Sequence, residues 1–83
     1  MIEKVTAKEI GILIRNTRVS LGLNQTRLAK VCNVNIMFLS DLERGKATCE
    51  VDKVLLVLRK LRIQVKFIIP EIKHHIDDIK VCH

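Results

Sequence analysis

Side chains that suit contact with DNA bases and phosphates are concentrated between Gln25 and Lys46. Asn35 carries an amide that can form two hydrogen bonds with adenine, and the Ser40 hydroxyl bonds less selectively. Ile36 and Met37 lie between them and offer apolar contact to thymine methyl groups. The basic residues of the same stretch suit phosphate oxygens and are Arg27, Lys30, Arg44 and Lys46. The chemistry indicated is recognition of duplex DNA.

Two short helices joined by a tight turn are predicted within residues 25–44. Asn24 and Asn35 are strong N-cap residues, and each precedes an apolar pattern of helical spacing. Asn33 tolerates the left-handed conformation that a turn requires, and Gly45 suits the end of the second helix. The inward-facing residues are expected to be Leu28, Ala29, Cys32, Phe38, Leu39 and Leu42. Such a pair describes a helix-turn-helix whose second helix enters a major groove.

Two further helices flank this motif. Residues 6–9 form a capping-box pattern that starts a helix over 7–21, which Gly22 ends. Its predicted buried face comprises Ile10, Leu13, Ile14, Thr17 and Leu21. A fourth helix is predicted over 51–61, with a buried stripe of Val51, Val54, Leu55, Leu58 and Leu61 that Leu56 and Val57 widen. A stripe this wide exceeds the need of one small domain and indicates a partner surface.

The residues after the fourth helix change to a period of two, which predicts a strand over 63–69 that stops at Pro70. The alternating side chains are Ile63, Val65, Phe67 and Ile69. Because a single strand leaves its backbone groups unpaired, we expect it to pair with the same strand of a second copy across a two-fold axis. The alternative is pairing with residues 1–5 of the same chain.

The stretch LGLNQTRLAKVCNVNIMFLSDLERGK resembles the phage repressor and Cro-type helix-turn-helix family, whose motif commonly runs LGLTQ-x-x-LA-x-x-x-GVS-x-x-x-IS-x-x-E-x-G. The strand after the last helix makes the chain most similar to HipB-type antitoxins. The resemblance covers roughly residues 6–69, with Asn33 in place of the usual turn glycine and Asn35 in place of the usual serine. It implies a mainly α, lambda-repressor-like bundle of four helices plus one C-terminal strand that pairs across a dimer.

The resemblance also implies roles for individual residues. Arg18 should pair with Glu43, and Gln25 should reach a phosphate or a base edge. A dimer of this type places two recognition helices ~34 Å apart, so the DNA target should be an inverted repeat. The implied function is a repressor of its own operon that is also the antitoxin of a kinase-like toxin. A stand-alone phage-type or restriction–modification controller repressor is the alternative.

Asp41 does not fit a DNA-facing helix in an obvious way. A carboxylate aimed at DNA weakens binding unless it accepts a hydrogen bond from cytosine N4 or from a neighbouring arginine. The sequence leaves both possibilities open.

Composition supports a small DNA-binding protein rather than an enzyme. The 83 residues suffice for one domain, which we place at 1–69 with a tail at 70–83, and the formal net charge of +6 favours a polyanionic partner. No set of residues resembles a catalytic triad or a phosphate loop, and neither cofactor nor metal is expected. Cys32, Cys49 and Cys82 form no CxxC pair, and no apolar run is long enough for a membrane span, so a reduced, cytoplasmic setting is expected.

The tail is the least informative segment. Ile72, Ile76 and Ile79 have the spacing of a short amphipathic helix, and the surrounding His, Asp and Cys residues match no zinc pattern. A frayed or packed terminus, a partner-docking segment and a metal site remain alternatives.

Overall fold

The computed structural model describes residues 6–48 and 50–66, and these residues form four helices. They are α1 (Ala7–Ser20), α2 (Gln25–Cys32), α3 (Ile36–Glu43) and α4 (Val51–Lys60). All four predicted helices are therefore confirmed, with ends that differ from the sequence prediction by one residue at most in α1 and α4. The tail and residues 67–69 lie outside the described part of the chain.

Three of the four helices begin with a side-chain cap. In α1 the Thr6 hydroxyl accepts from the Glu9 N–H at 3.2 Å, while the Glu9 carboxylate accepts from the Thr6 N–H, which completes the predicted capping box. Asn24 accepts from the Arg27 N–H at 2.8 Å and starts α2. Asn35 accepts from the Met37 N–H at 2.7 Å and starts α3. These bonds satisfy N–H groups that have no partner within the helix.

Each helix ends at a residue in the left-handed conformation. These residues are Gly22, Asn33, Gly45 and Arg62, with φ of 73°, 55°, 85° and 63°. In each case the next N–H reaches back to a carbonyl of the last helical turn, as when the Val34 N–H donates to Ala29 O at 3.0 Å. The reversal at Asn33 fixes the angle between α2 and α3. The predicted turn is therefore confirmed.

The core is aliphatic and lies where α3 packs against α1 and α2, with α4 closing it against α2. Its buried apolar residues are Ile14, Leu28, Ala29, Cys32, Leu39, Leu42, Val57, Leu58 and Leu61. Burial raises the pKa of the Cys32 thiol, which therefore stays protonated and packs as a small apolar group.

Two predicted buried faces are wrong in part. Leu13 on α1 and Leu21 just after it are about half exposed, whereas Ile14 is buried in the core and Gly11 lies against α3. On α4, Val51 and Leu55 are also exposed at 59% and 48%, since the helix turns Val57, Leu58 and Leu61 inward. Helical spacing identified amphipathic helices but not which apolar stripe one copy of the chain would cover.

The predicted strand is not present over residues 63–66, which have no regular secondary structure. The remaining residues of that prediction, including Phe67 and Ile69, lie outside the described part of the chain. Ile63 packs against the core and Val65 is 48% exposed. Strand pairing across a dimer stays a prediction, because a strand acquires its ladder only from a neighbouring strand.

Candidate nucleic-acid interface

The exposed face of α3 begins at its first turn. Ile36 is 42% exposed and Met37 is 62% exposed, whereas Leu39 and Leu42 on the opposite side are buried in the core. The helix therefore presents two apolar side chains to solvent at the end where a recognition helix meets base edges. Exposure of large apolar side chains has a cost in water, which contact with thymine methyl groups would remove.

Two polar residues of α3 flank this apolar pair. Asn35 is exposed, and its Oδ1 is engaged with the Met37 N–H as the helix cap. An amide has two N–H donors and a second oxygen lone pair, so capping leaves Asn35 able to bond a base. Ser40 is half-buried one turn further on. Asn35, Ile36 and Met37 thus lie at the N-terminal end of α3, and Ser40 lies one turn further along.

The four predicted phosphate contacts fall into two groups. Arg27 and Lys30 are exposed on α2. Arg44 and Lys46 follow the end of α3 and both lie next to Asp41, whose Oδ1 accepts from Arg44 Nη2 and whose Oδ2 lies 3.7 Å from Lys46 Nζ. Of the two roles that the sequence left open for Asp41, the structure shows the contact with a neighbouring arginine.

A buried polar network ties α3 to the rest of the bundle. Arg18 of α1 donates through Nε to Glu43 Oε2 at 2.7 Å and through Nη2 to Glu43 Oε1 at 3.0 Å. Its Nη1 donates to the Leu23 carbonyl at 2.8 Å, just before α2. Both side chains are buried, and among the described residues no buried side-chain polar atom lacks a partner. Because a bidentate arginine–carboxylate pair has a defined geometry, this network sets how α3 lies against α1.

Gln25 takes part in the same network. Its Nε2 donates to Glu43 Oε1 at 3.1 Å, so the amide connects the start of α2 with the end of α3. One N–H of the amide is directed into the protein, and the second N–H and the carbonyl oxygen are the groups with which Gln25 would contact DNA. Sequence reasoning did not foresee this internal bond.

Gly11 marks a close approach between α1 and α3 that the sequence did not indicate. A Cβ atom at Gly11 would overlap the Leu42 carbonyl oxygen and would lie 2.7 Å from the Glu43 carbonyl oxygen. The signal that could have revealed it is a glycine in the interior of a helix, where alanine would favour the helix. Gly11 thus lets the backbone of α1 touch the last turn of α3.

A family model described as helix-turn-helix, HTH_3, matches residues 14–68 of the chain. The chain belongs to this helix-turn-helix family. It is also 40% identical over 65 residues to the uncharacterized HTH-type transcriptional regulator y4mF of Sinorhizobium fredii (strain NBRC 101917 / NGR234), an alignment that covers 78% of the chain and 86% of the relative. The phage repressor and Cro-type resemblance is thereby confirmed at the level of the family, whose members are DNA-binding regulators.

The matched residues of this helix-turn-helix protein include the parts of the interface described above. They contain α2, α3, the Arg18–Glu43 pair and both exposed basic groups. Among the described residues, no helix has the length and apolar character needed to cross a membrane. The family match thus gives DNA as the class of ligand that the protein binds.

Proposed function

We propose that this helix-turn-helix protein is a homodimeric, sequence-specific transcriptional repressor that binds an inverted repeat with α3 in the major groove. The observation that carries the proposal is the one-sided burial of α3. Leu39 and Leu42 hold the helix in the core, while Ile36 and Met37 are left exposed at its N-terminal end. The similarity to a protein named as an HTH-type transcriptional regulator supports a role in transcription.

In this proposal the bases are contacted from the first two turns of α3. Asn35 hydrogen bonds to a base edge, and Ile36 and Met37 pack on thymine methyl groups. Ser40 and Gln25 add a less selective hydrogen bond each, with Gln25 oriented by its bond to Glu43. The phosphate contacts are made by Arg27, Lys30, Arg44 and Lys46. Since two of the reading residues are apolar, phosphate contacts contribute much of the affinity.

A homodimer is supported by the apolar surface that one copy leaves open. A groove of about 540 Å³ runs between α1, α4 and residues 63–66. Leu13, Val51, Leu55 and Val65 line it, and each of them is about half exposed. Exposed apolar patches of this kind mark association surfaces in small proteins. We propose that a second copy covers this side and that the strand at 63–69 pairs there across the two-fold axis, through Ile63, Val65, Phe67 and Ile69.

The finer proposal is that the protein is the antitoxin of a HipBA-like system, which represses its own operon and binds a kinase-like toxin. The resemblance of the sequence to HipB-type antitoxins supports it, whereas the exposed Val51 and Leu55 are already accounted for by the homodimer. A stand-alone phage-type or restriction–modification controller repressor requires only the homodimer. A pull-down from the native host separates the two, because a co-purified kinase-like protein encoded in the same operon is expected only for the antitoxin.

The test of specific DNA binding is a gel-shift series with a duplex selected from a random library by the wild-type chain. Because Asn35 also caps α3, Asn35→Ser is the informative variant, since serine keeps a capping oxygen and removes the amide. Asn35→Ser and Ser40→Ala are expected to weaken binding of the selected duplex and to leave binding of an unselected duplex unchanged. Thr26→Ala, an exposed change on α2, serves as the control. If both α3 variants bind the selected duplex as the wild type does, the proposed reading face is wrong.

The assembly has a separate test. Sedimentation equilibrium of the full chain is expected to give twice the mass of one chain, 9.5 kDa. A monomeric mass at the concentrations used for DNA binding would overturn the homodimer while leaving the reading face intact.

A further inference from the structure

Asp41 contacts both cations that follow the recognition helix. One carboxylate oxygen accepts from Arg44 Nη2 and the other lies 3.7 Å from Lys46 Nζ. The backbone reinforces the arrangement, because the Lys46 N–H donates to the Asp41 carbonyl at 3.0 Å through the turn at Gly45. The Asp41 side chain is 28% exposed, whereas Arg44 and Lys46 are 68% and 71% exposed. A partly buried carboxylate therefore lies between two largely solvated phosphate-binding groups.

Stability of the helix does not account for this carboxylate. Asp41 lies in the last turn of α3, where the helix dipole disfavours a negative charge. Ion pairs with side chains as exposed as Arg44 and Lys46 contribute little to folding. The electrostatic effect of Asp41 is therefore greater on a polyanion that approaches these cations than on the fold itself.

We propose that Asp41 is a specificity-determining residue that weakens phosphate-only binding of DNA by pairing Arg44 and Lys46. The inference rests on the proposed DNA-binding face. Nonspecific binding depends on cations that neutralise phosphates, so a carboxylate that competes for two of those cations opposes it directly. Specific binding adds the base contacts of α3, which Asp41 does not weaken. The carboxylate thus lowers affinity for random DNA more than affinity for the operator.

The test compares Asp41→Asn with the wild-type full chain on two duplexes. One duplex is selected from a random library by the wild-type chain, and the other has mixed sequence without the selected site. Fluorescence anisotropy measures the dissociation constant of each duplex at a series of KCl concentrations between about 50 and 200 mM. Glu50→Gln is the matched control, because Glu50 is also an acid paired with a lysine, Lys53 at 2.8 Å, and its loss changes the net charge equally. Glu50 precedes α4 and lines the same cleft as Asp41 and Lys46, but its ion pair is with Lys53, so Glu50→Gln changes the local charge without releasing Arg44 or Lys46.

Asp41→Asn is expected to tighten binding of the mixed duplex by roughly three- to tenfold, which is the scale of two exposed ion pairs released. The salt dependence should become steeper by up to about one phosphate contact, or ~0.9 in the logarithmic slope. Binding of the selected duplex should change by a smaller factor, so the specificity ratio falls. Glu50→Gln should change the dissociation constants of both duplexes by the same factor. That factor should be smaller than the one by which Asp41→Asn changes the dissociation constant of the mixed duplex.

Two results would overturn the inference. If Asp41→Asn matches Glu50→Gln on both duplexes, only net charge matters and pairing with Arg44 and Lys46 has no effect on binding. If Asp41→Asn abolishes binding of the selected duplex and leaves binding of the mixed duplex unchanged, Asp41 contacts a base, for example by accepting a hydrogen bond from cytosine N4. Neither result bears on Asn35 and Ser40, whose variants test the proposed reading face independently. A thermal melt followed by circular dichroism verifies that each variant is folded.

Discussion

The junction between α1 and α3 differs sharply from the side of the molecule formed by α4 and residues 61–66. At the junction Ile14 is fully buried, and Arg18 and Glu43 are buried with their charges paired. On the α4 side, Val51 and Leu55 remain exposed next to an open groove. One copy of the chain therefore completes the geometry that holds the recognition helix, and it leaves apolar surface uncovered where a partner is expected. The angle of α3 is set within one copy of the chain, whereas in the proposed homodimer the distance between two α3 helices would depend on association.

The largest effect is expected from loss of the Glu43 carboxylate. Glu43→Ala leaves the buried Arg18 charge unpaired and removes the acceptor of Gln25, which should lower the free energy of unfolding by about 3–5 kcal/mol. Urea denaturation followed by circular dichroism measures it. Glu50→Ala is the control, since its exposed pair with Lys53 should contribute no more than about 1 kcal/mol. Equal losses in the free energy of unfolding for the two variants would show that the α1–α3 junction contributes no more to stability than an exposed ion pair on the α4 side.

The next effect concerns the close approach of α1 to α3. Gly11→Ala places a methyl group against the carbonyl oxygens of Leu42 and Glu43, so the helices must separate. We expect a loss of about 1–3 kcal/mol in the free energy of unfolding despite the higher helix propensity of alanine. Asn16→Ala, an exposed change on the same helix, should be neutral or stabilising. A stable Gly11→Ala variant would mean that this junction tolerates repacking.

On the α4 side the expected effect is on assembly rather than on folding. Leu55→Ser removes an exposed apolar side chain from the groove, and we expect the dimer dissociation constant to rise by about tenfold, or 1.4 kcal/mol. Sedimentation equilibrium measures it. Val19→Ser is the matched control, because Val19 is 56% exposed on α1 and does not line the groove. If both variants associate alike, the groove is not the surface that a second copy covers.

The smallest effect is expected at Arg62, which adopts φ of 63° at the end of α4. A left-handed conformation is unfavourable for a residue with a Cβ atom, so Arg62→Gly should raise the free energy of unfolding by about 0.5–1 kcal/mol after the extra chain entropy of glycine is subtracted. Thermal melts at a fixed protein concentration measure the change. Asn33→Gly should raise the free energy of unfolding by less, since asparagine already tolerates φ of 55°. A destabilised Arg62→Gly would indicate that the Arg62 side chain makes a contact that outweighs the strain.

Much of the fold could be predicted because its determinants are local. Thr6, Asn24 and Asn35 mark helix starts through bonds to N–H groups two or three residues away, and Asn33 marks the turn through its own backbone preference. The exposure of Ile36 and Met37 at the start of α3 could be predicted as well, because they lie opposite the apolar stripe of that helix. The exposed stripes on α1 and α4 could not, since amphipathic spacing does not distinguish burial in the core from burial against a partner.

The order of residues along the chain was by itself sufficient to determine four helices, three of them with a side-chain cap, the turn between α2 and α3 and the membership of a DNA-binding family. Only the tertiary structure decided that Gln25 donates to Glu43, that Gly11 lies against the last turn of α3 and that Asp41 pairs with Arg44 and Lys46. The physical reason is the difference in sequence separation between the residues that interact. Caps and turns are decided by bonds within a few residues, whereas a contact such as that between Gln25 and Glu43 requires helices distant in sequence to be packed first.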